Sequence, residues 1–280
     1  MEIVAEGLGF PEGPVWSERD QRLYFTDWQG NRVLSWDGRG VEHVFSPEAG
    51  GGPSGLGLSP DGNFWLSLYD ARKLALYSPQ GEVLFEITNY NGQPFRGVCD
   101  LAVDSRGGVY FTDSGDFEED WRSGRPAGSV YYLDPSGALQ CVDRGLCFPN
   151  GIAIDPDRER LYVNEHRLNR TVMYDLPAGV RFGPRRVFFD YDNENLLEPE
   201  TTFELGPDGA CLDGEGCLWA AHYGGGKLVQ VDPDGRLLSC VRLPRGCKPT
   251  NLAYCPTERV LYVTEAEFGL LYQISSLDKI

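Results

Sequence analysis

A chain of 280 residues with 41 % hydrophobic residues is long enough to bury a sizeable core. A formal charge of −17, from 25 Lys and Arg against 42 Asp and Glu, argues against a nucleic-acid partner or an anionic membrane surface, both of which need a basic footprint. No apolar run approaches the roughly 18 residues of a membrane span.

The opening "MEIVAEGLGFPEGPVW" lacks the basic and apolar regions of a signal peptide, so the expected location is cytoplasmic. The eight cysteines are then expected as thiols. None shows C-x-x-C spacing, which argues against a structural zinc site, and only Cys211 and Cys217 are placed to approach each other across a hairpin.

Six segments repeat along the chain. In order they are "PEGPVWSERDQRLYFTD" from Pro11, "PSGLGLSPDGNFWLSLY" from Pro53, "VCDLAVDSRGGVYFTD" from Val98, "PNGIAIDPDRERLYVNE" from Pro149, "PDGACLDGEGCLWAAH" from Pro207 and "PTNLAYCPTERVLYVTE" from Pro249. Each runs from Pro, or Val98, through one variable residue into a short apolar strand, a polar turn and a second strand. An aromatic residue stands near the start of that second strand, 11 or 12 positions after the variable one: Tyr24, Trp65, Tyr110, Tyr162, Trp219, Tyr262. A period of 41 to 57 residues, with two clear strands per copy and no helical periodicity, predicts an all-β fold, a six-bladed β-propeller. Outer strands are expected at 32–37, 74–79, 130–135, 172–177, 227–233 and 270–275. The N-terminal "EIVAEG" then supplies the missing outer strand of the last blade and removes an exposed edge. No linker or composition break divides residues 1–280, which read as one domain.

Within each first strand, large apolar side chains such as Leu56 and Leu58 or Ile152 and Ile154 flank a column of smaller ones: Val15, Gly57, Ala102, Ala153, Cys211 and Ala253. Alternate side chains face opposite sides of a strand, so this pattern suits the innermost strand, where blades converge. It makes Cys211 a packing residue.

The variable residues are Glu12, Ser54, Cys99, Asn150, Asp208 and Thr250. On a propeller they form a ring at one mouth of the central channel, a varied position on a constant frame. Glu12, Asn150 and Asp208 offer three oxygen ligands of total charge −2, which suit a hard divalent cation. Asn-Gly and Asp-Gly after proline also favour turns, but that does not account for Glu12. The second strands return to the same mouth with Asp27, Leu68, Asp113, Glu165, His222 and Glu265, positioned to orient the ring or to end strands. His222 is a candidate substrate contact. The segments 114–128 and 189–206 rise on this face as candidate lids.

"GFPEGPVW", "FPNGIAID", "GPDGACLDGEGCLWAAHYGGG" and "LYVTE" resemble the senescence marker protein (regucalcin), gluconolactonase and luciferin-regenerating enzyme family, in order over nearly the whole chain. The resemblance implies a six-bladed propeller with one catalytic divalent ion in the channel, held by Glu12, Asn150 and Asp208. Calcium is the first candidate, with Mg, Mn, Zn or Fe as others. It also implies hydrolysis of a small-molecule lactone or related ester, with the metal as Lewis acid and Asp208 as base. An organophosphate substrate, or an isomerase, cyclase or lyase on the same site, is the alternative. Family members carry Asn in "R-P-N-D-L", where this chain reads "RGVCDL" with Cys99 in its place. A thiol cannot replace an amide's donor and acceptor pair, so the expected substrate is less polar than an aldonolactone. Arg96 stands one position off the family's substrate-binding arginine, and Ser54 completes the expected substrate-facing set. Cys99 as a nucleophile with His222 as its base is disfavoured, since the two stand two blades apart.

Overall fold

The computed structural model describes residues 1–176, 182–193, 196 and 204–275. Each repeat folds into one four-stranded antiparallel sheet, and six such sheets follow one another in chain order. The first blade runs Pro11–Ser17, Arg22–Asp27, Arg32–Trp36 and Val41–Phe45, and the next four repeat this plan. In the last, Glu2–Glu6 pairs with Leu270–Ile274, so the N-terminal strand closes the ring as expected. The fourth blade's third strand is Arg170–Asp175, and Pro177 of the expected 172–177 lies outside the described residues.

The core lies between blades, not within one. Leu23, Phe25 and Leu34 of the first blade share a buried cluster with Ala253 and Tyr262 of the last, and each neighbouring pair repeats this. The small column sits where expected. A Cβ added at Gly57 would stand 2.5 Å from Leu101 Cδ1 and 2.7 Å from Val103 Cγ2 of the next blade. All eight cysteines are free thiols, including Cys211 and Cys217. No helix among the described residues is long and apolar enough to cross a membrane.

One irregularity recurs in all six blades. The ladder between first and second strands shifts register at the ring position, as between Glu12 and Val15 or Pro149 and Ile152. Such a bulge bends the strand and re-aims a side chain. Gly13, Gly55, Gly151 and Gly209 follow the ring residue in four blades because the next blade lies against them. At Gly13 φ is +43°, and an added Cβ would meet the Ser54 carbonyl oxygen at 2.2 Å. Gly13→Ala therefore combines backbone strain with a clash against main chain. It is expected to destabilise by on the order of 2–3 kcal/mol, read from the urea midpoint.

Candidate functional site

The ring residues are held at their carbonyls by the neighbouring blade. Thr26 Oγ1 donates to the Ser54 carbonyl at 2.8 Å, Ser54 Oγ to that of Cys99 at 2.5 Å and Thr112 Oγ1 to that of Asn150 at 2.9 Å. Asn164 Nδ2 donates to the Asp208 carbonyl at 2.7 Å, and Thr250 Oγ1 to the Pro11 carbonyl at 2.7 Å. These bonds run blade to blade and fix the backbone at the channel mouth. They also engage the hydroxyls of Ser54 and Thr250, so neither lines the cavity above the ring.

The acids that end the second strands have a related task. Asp27 accepts from the N–H groups of Gly9 and Phe10, Asp113 from those of Arg96 and Gly97, Glu165 from Cys147 and Glu265 from Lys248. Each holds the segment entering its own blade's ring position, so these acids orient the ring through backbone and not through its side chains.

Above the ring lies a cavity of about 420 Å³. Glu12, Cys99, Asn150 and Asp208 converge on it from four blades. Cys99 Sγ donates to Asn150 Oδ1 at 3.1 Å. Burial, then the charges of Asp208 and Glu12, push the Cys99 thiol well above its ordinary range, which keeps it protonated. Burial followed by the Asp100 charge raises Glu12 to about 8. Burial, with Glu12 and Asp100, raises Asp208 well above the ordinary carboxylate range.

Asp100 and Asn251 stand beside the ring and are not among the residues that the sequence pattern singles out. They occupy the position that is glycine in the other four blades. Asn251 Nδ2 donates to Asp100 Oδ2 at 3.2 Å across the channel, from the last blade to the third. Asp100 Oδ1 accepts from the Leu101 N–H at 2.8 Å, and burial raises its carboxyl to about 6. Asn251 also bonds Glu12. The pair forms a floor between this cavity and a second one of about 450 Å³, lined by the innermost strands. The two exceptions in an otherwise glycine column were the available signal.

The donor set fits a hard cation. Asp100 raises Glu12, Glu12 and Asp100 together raise Asp208, and none of the three has an ion-pair partner among the described residues. Like charges buried together are relieved by protons or by a cation. Among the described residues no three His, Cys, Asp or Glu side chains are gathered at metal-holding distance. The expected set is two carboxylates and an amide, and Asp100 is tied into the floor. Among the described residues nothing hydrogen-bonds the Asp208 carboxylate.

The walls are aromatic. Seven of the fifteen lining residues are Phe, Tyr or Trp. One arc runs Phe10, Trp28, Tyr69, with ring centroids 5.6 and 5.1 Å apart. The other joins Phe117 and Trp121, stacked at 5.0 Å, to Phe148, His166 and Tyr223. The segment 114–128 builds part of this second arc. Asp116 caps the short helix Phe117–Trp121 by accepting from the Glu119 N–H, and buried Asp120 is bonded by Arg96 Nε at 2.8 Å and by Arg125. Residues four apart share a helix face, so Phe117 and Trp121 enter the cavity together. Most of 189–206 lies outside the described residues.

Besides Ser54, two expected substrate contacts stand elsewhere. Arg96 is ion-paired with Glu119 and Asp120 and does not line the cavity. His222 is fully buried, its Nε2 against Asn169 Oδ1 at 2.9 Å and its ring against Tyr191, because its strand end is covered by the fourth blade. His166, which no repeat column singled out, lines the cavity instead. Burial lowers its pKa to about 4, so it is neutral at physiological pH.

Residues 10–267 match the SMP-30/gluconolactonase/LRE-like region, and the chain belongs to this family. It is 27 % identical to a gluconolactonase of Zymomonas mobilis over 94 % of this chain and 78 % of that one. It is 28 % identical to a 6-deoxy-6-sulfogluconolactonase of Pseudomonas putida over 94 % of this chain and 86 % of that one. Among solved structures, a gluconolactonase of Xanthomonas campestris superposes with a TM-score of 0.80 at 25 % identity, covering 97 % of this chain and 87 % of that one.

Proposed function

We propose that this member of the SMP-30/gluconolactonase/LRE-like family is a hydrolase that opens a small-molecule lactone at the channel mouth, with Asp208 as general base. The observation that carries the reading is the buried pair Glu12 and Asp208, with the Asn150 amide, facing one cavity in a chain whose relatives are named gluconolactonases. A divalent ion held by Glu12, Asn150 and Asp208, calcium first among the candidates, would supply Lewis acidity toward the lactone carbonyl and keep both carboxylates ionised.

The chain's own residues do the rest. The Asp208 carboxylate, unbonded within the described residues, accepts the proton of the attacking water. Asn150, held by the Thr112 bond at its carbonyl and the Cys99 thiol at its side chain, keeps its amide fixed in the ring. The aromatic arcs exclude bulk water from the carboxylates, which strengthens every charge interaction at the floor. The test is purified protein with each divalent metal on a lactone panel, reading a product heavier by one water. No turnover with any metal overturns the reading, and a product of unchanged mass favours an isomerase.

Cys99 sets which lactones are turned over. Cys99→Asn restores a donor and acceptor pair beside Asn150 and is expected to raise kcat/KM for D-glucono-δ-lactone by about tenfold. An unchanged value removes Cys99 as a determinant.

A further inference from the structure

We propose that Asn251 is a positioning residue for Glu12: its amide bridges the Glu12 and Asp100 carboxyls and so sets how tightly the ring holds a divalent cation. This rests on the reading above in which Glu12 is a cation ligand.

Glu12 carries the longest side chain of the ring and has the most rotamer freedom to lose before it can ligate. The other two oxygen donors are restrained by their neighbours. Asn164 Nδ2 holds the Asp208 carbonyl at 2.7 Å, and Cys99 Sγ holds the Asn150 side chain at 3.1 Å. At Glu12 the restraint comes from two consecutive residues of the last blade. Thr250 Oγ1 donates to the Pro11 carbonyl at 2.7 Å and fixes the main chain just before Glu12. Asn251 fixes the side chain.

The orientation of the Asn251 amide follows from its surroundings. Its Oδ1 accepts from the Leu252 N–H at 2.8 Å, and its own main-chain N–H donates to Thr264 Oγ1 at 3.1 Å. With Oδ1 turned to the main chain, Nδ2 faces the channel with two N–H donors. Nδ2 donates to Asp100 Oδ2 at 3.2 Å, and the same amide bonds the Glu12 carboxyl. Both acids are anchored again at their own blades. Asp100 Oδ1 accepts from the Leu101 N–H at 2.8 Å, and Glu12 Oε2 from the Gly13 N–H at 3.0 Å. The adjoining blades leave room for this arrangement. A Cβ added at Gly209 would stand 2.0 Å from Asn251 Cγ, and one at Gly55 2.8 Å from Asp100 Oδ1.

Asp100 and Asn251 line the second cavity, and neither lines the cavity above the ring. Asn251 therefore reaches a bound ion only through Glu12. Without its amide the two carboxyls face each other with nothing between them, and like charges at close range repel. Glu12 then turns away from its ligating position. A partner that orients a ligand in this way typically changes cation affinity by about tenfold to a hundredfold.

The test is a double-mutant cycle between Asn251→Ala and Glu12→Asp, read as the Kd of a cation by calorimetric titration of the metal-free protein. Ca²⁺, Mg²⁺, Mn²⁺ and Zn²⁺ are titrated in turn, and the ion that wild type binds most tightly is carried through the cycle. Glu12→Asp keeps a carboxylate but draws it back from the Asn251 amide. The expected result is that Asn251→Ala weakens binding by about tenfold or more in wild type and by less than about twofold in Glu12→Asp. Melts in chelator establish that each variant is folded, and Asn251→Ser takes the place of Asn251→Ala if the alanine variant does not fold. An unchanged Kd in Asn251→Ala, or an equal loss in both backgrounds, overturns the positioning role. The cation reading survives that outcome as long as Glu12→Asp alone weakens binding. If Glu12→Asp binds as tightly as wild type, or wild type binds none of the four ions, the cation reading fails and the positioning role falls with it.

Discussion

Asp208→Asn is expected to lower lactone turnover by about a thousandfold or more while leaving the propeller folded. The substitution keeps shape and removes the one carboxylate at the ring that has no hydrogen-bond partner among the described residues. It also has a second consequence of opposite sign. The Asp208 carboxyl is raised by burial and by Glu12 and Asp100, so its ionised form strains the metal-free protein at neutral and alkaline pH. The neutral amide is therefore expected to make metal-free protein more stable at pH 8, by about 1–3 kcal/mol, even as activity disappears. A loss of activity explained by misfolding would lower the melting temperature, so thermal melts at pH 8 in chelator separate the two explanations. Turnover at the wild-type level in Asp208→Asn removes Asp208 from the reaction.

The metal-free protein should lose stability as pH rises from 6.5 to 8, and a divalent cation should restore it. Glu12, raised to about 8 from an ordinary 4.5, holds a proton in the folded state that the unfolded chain releases. Its contribution is complete below about pH 4.5 and is lost as pH climbs through 8, a change on the order of several kcal/mol. Asp100, raised to about 6, acts in the same direction at lower pH. The buried imidazoles have the opposite sign. His166 and His222, lowered to about 4 and about 3, stay neutral in the fold, so their contribution is complete above about 6.5 and is lost as pH falls. Above pH 6.5 only the acids remain, which makes 6.5 to 8 the clean window. A cation at Glu12 and Asp208 replaces the missing protons, so the melting-temperature gain on adding Ca²⁺ should be larger at pH 8 than at pH 6.5. A metal-free melting temperature that rises across this window, or a Ca²⁺ gain independent of pH, contradicts the assignment of these carboxylates.

The repeat was legible because each blade must solve the same packing problem. Small residues recur where neighbouring strands approach, as at Gly57 against Leu101 and Val103. The ring was legible for the converse reason: a constant frame makes one variable column visible, and Glu12, Cys99, Asn150 and Asp208 do meet around one cavity. What the ring position alone does not encode is which side chains remain available. Ser54 belongs to the column, yet its hydroxyl is engaged by the Cys99 carbonyl. His222 ends its strand as Asp27 does, yet Asn169 and Tyr191 cover it. The acid column reads equally as orienting the ring or as ending strands, because a side chain that holds backbone leaves no pattern different from one that caps a strand. Most of the cavity wall also keeps the register of the repeat: Phe10 and Phe148 stand just before the proline of their copies, and Trp28, Tyr69, His166 and Tyr223 at or just after the end of the second strand, whereas Phe117 and Trp121 come from a segment peculiar to the third blade, so only the folded chain brings these two to the others.

The most direct test of the central claim is lactone opening by the wild-type protein before chelation, after exhaustive chelation and after return of a divalent cation, followed by proton release. The account predicts turnover that disappears with the cation and returns with it, one proton per lactone consumed. Turnover that survives chelation undiminished, in protein shown to be free of metal, would contradict it.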